Sequence, residues 1–407
     1  MTNDPLAGVL DDAKALLPEA VELRRRIHRQ PEVGLRLPRT QQAVLGAIDD
    51  LGLRVSTGRE VDSVVAVLDG ARPGGTVLLR GDMDALPLQE DSGEEFGSEE
   101  PGRMHACGHD THVAMLAGAA RLLVGRRDRL AGRVVLMFQP GEEGYHGARY
   151  MLEEGVLDAA GSPVDAAYAL HITTQHPSGT LHVRPGPQLA ASDVLTITVR
   201  GAGAHASAPS YGLDPIPVAC EIVQAIQAMV TRRVDIFDPT VVTVAQIVAG
   251  TTNNIIPETA QLVGTIRTLS EATGEAVRAG LTRLAEGVAA AHGLTAEVAI
   301  ERGYPPTLND PGAAETMRAV AAQLLGPDAV GVPANPVMGA EDWSYVLQQV
   351  PGAMGFLGGC PPELDPDTAP GNHSNRVRFH EPAMAAGIAA YAALALHHLA
   401  APPAPAE

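Results

Sequence analysis

Five short stretches carry side chains able to hold metal ions and move protons: Gly81-Asp-Met-Asp84, Met104-His-Ala-Cys-Gly-His-Asp110, Pro140-Gly-Glu-Glu143, His171 and Gly371-Asn-His-Ser374. A thiolate binds metals, and the start of a helix favours negative charge, so Cys107 beside His109 reads as a ligand pair whose thiol should ionise easily. Gly108 between them allows a tight turn, and His105 and His112 stand as further candidates. The competing reading is a small buried cysteine next to a helix-capping Asp110. Glu142 and Glu143 would be a solvated pair on an open loop. At a strand end facing histidines they can divide the work, one binding metal and one serving as general base toward an activated water. Asp82 or Asp84 is suited to accept the second ring N–H of a ligand histidine. With His171 and His373, the set of one cysteine, three histidines and one glutamate suits one or two divalent ions, and its sulfur and nitrogen donors favour zinc over magnesium or calcium.

The elements that must position these groups follow an α/β pattern. Apolar periodicity predicts helices over 6–29 and 40–51, then short strands at 64–68, 76–80, 133–138 and 166–170 alternating with helices at 111–124 and 148–154. That alternation implies a substantially parallel sheet, and the chemistry-bearing stretches fall where the carboxyl ends of such strands form a crevice. Between 193 and 302 the order changes to β-α-β-β-α-β, with strands at 194–199, 241–248, 260–268 and 296–300 and helices at 215–232 and 271–292, the ferredoxin-like pattern of a self-contained small domain. Helices are expected at 313–325, 342–348 and 382–399, with a strand near 354–357. The expected organisation is a catalytic domain in two pieces, 1–186 and 304–407, with an inserted lid or dimerisation domain at 187–303.

Composition removes several function classes. The 407 residues contain 29 Lys and Arg against 48 Asp and Glu, a net charge of −19 that repels nucleic acid and anionic lipid alike. Lys14 is the sole lysine, and no Gly-Lys-Ser/Thr sequence occurs, which excludes Schiff-base enzymes and phosphate-loop ATPases. Three cysteines and an N-terminus without a signal-peptide pattern lead to the expectation of a cytoplasmic protein. Aromatic residues are 3% of the chain, so the core must be built from Ala, Val and Leu.

Gly-Asp-Met-Asp-Ala-Leu-Pro (81–87), Met-His-Ala-Cys-Gly-His-Asp (104–110), Pro-Gly-Glu-Glu-Gly (140–144), Gly-Ala-Gly-Ala-His-Ala-Ser-Ala-Pro (201–209), Asn-Ile-Ile-Pro (254–257) and Asn-His-Ser (372–374) together resemble the amidohydrolase branch of the aminoacylase/carboxypeptidase-type dinuclear metallopeptidases. That branch includes hippurate hydrolases, N-acyl-amino-acid amidohydrolases and auxin-conjugate hydrolases. The resemblance implies that Cys107 bridges two ions, that His109 and His171 complete one site, and that Glu143 and His373 complete the other. It implies Glu142 as general base and acid, Asp84 among the catalytic groups, and His205 as a lid histidine that polarises the scissile carbonyl in a partner's active site. Asn254 and Arg267 would bind substrate, the arginine through a carboxylate. The implied cofactors are two divalent ions per subunit, zinc or manganese, with cobalt and nickel as further choices. The implied reaction is cleavage of small N-acyl amino acids by a homodimer joined through the lid. A dipeptidase or carboxypeptidase, a deacetylase of N-acetyl-diaminopimelate and a non-catalytic small-ligand-binding homologue are the alternatives.

Overall fold

The computed structural model describes residues 4–400, which divide into two compact units. The larger comprises residues up to Gln188, Leu308–Asn335 and the chain from Tyr345 onward. Its eight-stranded sheet runs from edge to edge through Arg54–Thr57, Val64–Asp69, Ala131–Gln139, Arg72–Asp82, Ala166–Pro177, Gly352–Cys360, Leu181–His182 and Val330–Gly331. The central four strands are parallel, whereas Val64–Asp69 joins Ala131–Gln139 antiparallel and Leu181–His182 joins Gly352–Cys360 antiparallel. The sheet is therefore mixed: strand Val64–Asp69, read from its apolar run, pairs antiparallel, and the two-residue strands Leu181–His182 and Val330–Gly331, too brief to carry a hydrophobic pattern, extend the other margin.

Helices Val9–Arg29, His109–Gly125 and Met384–His398 supply much of the core of this unit. Met384–His398 is buried around its whole circumference from Met384 to Leu396, as its nearly uninterrupted Ala-rich apolar sequence requires. Close helix packing without aromatic bulk depends on small residues: a Cβ on Gly387 would run into the Met115 sulfur. The 166–177 strand extends well past the expected end at Leu170, so His171 sits inside a strand. The expected 342–348 helix contracts to one turn, Ser344–Leu347.

The smaller unit comprises Leu189–Thr307 and Pro336–Ser344. Its antiparallel sheet has the order Val241–Ala249, Thr259–Arg267, Asp193–Arg200, Thr295–Arg302, with helices Pro215–Arg233 and Glu271–Ala291 packed on it around Leu195, Ile197, Leu262 and Leu281. Along Asp193–Arg200 buried and more exposed residues alternate, the signature of a sheet with one covered face. Asp214 and Ser270 cap the two helices by accepting the Ile216 and Thr273 N–H groups at 3.0 and 3.1 Å. Residues 336–344 join this unit rather than the second catalytic segment where the sequence reading puts them. Backbone bonds explain the change, since the Ala190 N–H donates to the Val337 and Gly339 carbonyls at 3.0 and 2.9 Å.

Candidate metal centre

The metal-binding candidates of the larger unit converge around one sulfur. Cys107 ends the loop before helix His109–Gly125, and Gly108 makes the turn at φ 88°, where an added Cβ would lie 2.5 Å from Ile172 Cγ2. His171 Nε2 and His373 Nε2 each lie 3.3 Å from Cys107 Sγ. His373 Nε2 is also 3.1 Å from Glu143 Oε1. Two sets of donor atoms result, Cys107 with His109 and His171, and Cys107 with Glu143 and His373, each within 4.8 Å of one another. Glu142, His109 and Glu143 form a third such group, which places the Glu142 carboxylate beside both sets.

Asp84 organises the two glutamates. Its carboxylate accepts the Glu142 N–H at 2.9 Å on one oxygen and the Glu143 N–H at 3.0 Å on the other. The second ring nitrogen of His109 donates to the backbone carbonyl of Asp84 at 2.8 Å, with the Asp84 carboxylate 3.4 Å away. Fixing Nδ1 as the donor leaves Nε2 as the ligand atom. Asp82 serves a different histidine: it accepts from His112 Nδ1 at 2.6 Å and pairs with the fully buried Arg80 at 2.7 Å. His112 Nε2 accepts the Ile172 N–H at 2.8 Å. Both of its nitrogens are thus engaged, which removes His112 from the ligand candidates although Asp82, His109 and His112 lie close enough to form a donor group. His105 is buried against His28, its ring nitrogens make no hydrogen bond, and it belongs to none of the donor groups.

The donors fit divalent metal. His109 Nε2 is fully buried and makes no hydrogen bond, with Asp82 Oδ2 at 3.4 Å and Glu143 Oε1 at 4.0 Å, an arrangement with a physical rationale when a cation sits among these donors. Burial together with neighbouring His112 holds His171 well below the usual histidine range, in the neutral form that binds metal. Burial and the Glu143 carboxylate push the Cys107 thiol up, opposite to the lowering expected from the helix start alone, so its thiolate form calls for a cation at the sulfur. Bonds to Cys107 and Glu143 raise His373 to about 10. Its backbone is left-handed at φ 69°, a conformation that non-glycine residues adopt at a cost, and the His373 N–H donates to Ala106 O at 2.9 Å. Asn372, to which the sequence reading gives no role, donates to the Cys107 and Ile172 carbonyls at 3.0 Å each and so ties the His373 loop to both other ligand loops.

A family model described as Peptidase family M20/M25/M40 matches residues 78–397. The chain belongs to this family. Among its relatives, Thermostable carboxypeptidase 2 of Saccharolobus solfataricus is 38% identical over 403 residues, covering 97% of this chain and 98% of the relative. The N-acyl-L-amino acid amidohydrolase of Geobacillus stearothermophilus is 35% identical over 310 residues, 76% of this chain and 82% of the relative. The Bacillus subtilis YXEP protein, described as a dinuclear metal binding peptidase of the M20 family, superimposes with a TM-score of 0.82 at 31% identity, covering 95% of this chain and 99% of that one. This M20 protein is accordingly a dinuclear metallo-amidohydrolase.

Three expected substrate-facing residues lie in the smaller unit. His205 is exposed on a two-residue strand, Ala204–His205, paired with Ile255–Ile256, and the Ala206 N–H donates to the Asn254 carbonyl at 3.0 Å. Because the Ser207 N–H donates to His205 Nδ1 at 3.1 Å, the neutral ring carries its proton on Nε2. Arg267 is half-buried, its Nε donating to Thr265 Oγ1 at 3.2 Å, and burial lowers its pKa against the opposing charge of Asp193. Asn254 lies just before Thr259, and the eight steps from Thr259 to Arg267 span about 26 Å of extended strand.

Proposed function

We propose that this M20 hydrolase cleaves the amide bond of small N-acyl amino acids bearing a free α-carboxylate, releasing a carboxylic acid and an amino acid. The observation that carries the reading is Glu142, buried and held through its backbone N–H by Asp84, with its carboxylate beside both donor sets that share Cys107. Cys107, His109 and His171 would hold one ion and Cys107, Glu143 and His373 the other, zinc or manganese in kind. Such ions, when bound, acidify water and withdraw charge from the scissile carbonyl. Glu142 then takes the proton from the attacking water and returns it to the leaving nitrogen, while the Nε2–H of His205 donates to the carbonyl oxygen as charge builds there.

The open edge of the smaller unit's sheet supports a homodimer as the active form. The edge strand Val241–Ala249 carries no charged residue and exposes Val241, Ile247 and Val248, whereas the opposite edge bears Glu297, Glu301 and Arg302. An uncharged open edge is suited to pairing with a second copy across a two-fold axis. The sparse, unpaired cysteines favour the cytoplasm as the compartment, and among the described residues no helix is long and apolar enough to cross a membrane.

The test is turnover by protein loaded with zinc or manganese on a matrix of N-acetyl and N-benzoyl amino acids, N-acetyl-diaminopimelate and dipeptides. Preference for the simple N-acyl amino acids is expected, and preference for dipeptides would transfer the reading to a carboxypeptidase. Glu142→Gln should retain both ions and lose at least ~100-fold in kcat, and Glu143→Gln should lose metal. The opposite pair of phenotypes would exchange the two roles. Mixing His205→Ala with Glu142→Gln protein should restore activity in heterodimers; an active monomer in sedimentation would defeat the dimer.

A further inference from the structure

The strand that carries His171 loses a neighbour just before it reaches the metal centre. Residues 166–169 pair with the 72–82 strand, and that ladder stops at Arg80↔Ala169, although the 166–177 strand continues. On its other side, pairing with the 352–360 strand persists through Thr173. In an extended strand the N–H groups of residues i and i+2 point the same way, so Leu170 and Ile172 present donors to the side where the ladder has ended. Buried donors of this kind require partners.

Side chains supply them. The Leu170 N–H donates to the Tyr391 hydroxyl at 3.0 Å, and that hydroxyl donates to the Arg80 carbonyl at 2.6 Å. Two residues on, the Ile172 N–H donates to His112 Nε2 at 2.8 Å, and His112 Nδ1 donates to Asp82 at 2.6 Å. Each bridge therefore runs from the His171 strand to the 72–82 strand, replacing the ladder bonds that a closer approach would have made. Tyr391, His112 and Asp82 are all fully buried. His171 lies between the two anchored residues, and its Nδ1 donates to the Ile172 carbonyl at 2.8 Å, leaving Nε2 directed at Cys107.

We propose that His112 and Tyr391 are positioning residues that stand in for a missing strand, holding Leu170–Ile172 extended so that His171 Nε2 stays at the cysteine shared by the two metal sites. The proposal rests on the two-ion reading above. It assigns His112, a histidine one helical turn from a ligand, a task that requires both of its nitrogens and leaves none for metal.

The experiment is a zinc titration of the full-length protein against a competing chelator, with the melting temperature of the metal-free protein measured in parallel. His112→Leu should weaken one of the two ions by ~10- to 100-fold and leave the other nearly unchanged, the effect expected of a lost outer partner of a ligand. His112→Gln should recover most of that affinity, because its amide can accept from Ile172 and donate to Asp82 together. A merely structural role would lower the melting temperature of the metal-free protein without separating the two ions. Equal behaviour of the Leu and Gln variants, or wild-type affinity in His112→Leu, overturns the proposal. If His112→Leu does not fold, Tyr391→Phe removes a single oxygen and should weaken the same ion several-fold; wild-type affinity there overturns the proposal equally. Fewer than two ions on the wild type would overturn the two-ion reading and this proposal with it, whereas two ions held with the same affinities by wild type and variant overturn the positioning role alone.

Discussion

Replacing Asp84 by asparagine tests the geometry of the centre without altering a proposed ligand. The Asp84 carboxylate receives two backbone N–H groups, from Glu142 at 2.9 Å and Glu143 at 3.0 Å, in a site where Asp84 is 1% exposed. Asparagine keeps one acceptor oxygen and turns an NH2 group toward the other N–H. One charge-assisted bond, worth about 1.5–3 kcal/mol, disappears, and the buried N–H left facing a donor costs about 1–3 kcal/mol more. A loss of about 3 kcal/mol in holding the two glutamates corresponds to roughly 100-fold in kcat/KM if the transition state bears it. The His109 bond to the Asp84 carbonyl is main-chain and survives, so metal should be retained more fully than in Glu143→Gln. The assay is kcat/KM on an N-acetyl amino acid, with metal content measured on the same sample. An Asp84→Asn enzyme within ~5-fold of wild type, both ions bound, would refute the argument that these two N–H bonds set the position of Glu142.

Gly108→Ala should destabilise the protein by about 2–4 kcal/mol, from left-handed strain plus overpacking against Ile172, and lower metal affinity with it, as thermal melts and metal analysis will read. Cys107→Ser should reduce metal content as well as rate; full occupancy with an acyl group trapped on Cys107 would contradict a ligand role. Burial opposes protonation of His28, but Asp110 and Glu90 outweigh it and raise its pKa to about 9. Because this value lies above the ordinary one, the stabilisation is complete below the ordinary histidine range and is lost as pH rises through about 9. Wild-type melting temperature should therefore fall over that interval, and His28→Leu should start lower and fall less. Arg267→Ala should raise KM for N-acyl amino acids far more than for their methyl esters, and an unchanged acid-to-ester ratio would remove the arginine from carboxylate binding.

The sequence alone determined the chemistry available and the order of the elements. Cysteine, histidine and glutamate are distinctive donors, so their identity survives without coordinates. The β-α-β-β-α-β run between 193 and 302 was legible because short β-rich runs are separated by helical periodicities of fixed order, which are local signals. Tertiary structure decided everything that depends on which backbone groups lack partners. Nothing in the spacing of His109 and His112 says that one has a ring nitrogen without a hydrogen bond and the other has both nitrogens bonded; the bond that His112 Nε2 makes arises because the 72–82 and 166–177 strands part after Ala169 and leave the Ile172 N–H for it to accept. The roles of Asp82 and Asp84 separated for the same reason, one facing His112 and the other the Glu142–Glu143 turn. Asn372, tying three loops through two carbonyls, is a long-range fact of the same kind. Donor chemistry belongs to a side chain and is written in the sequence, but hydrogen-bond saturation belongs to a pair of groups, and only the fold selects the pair.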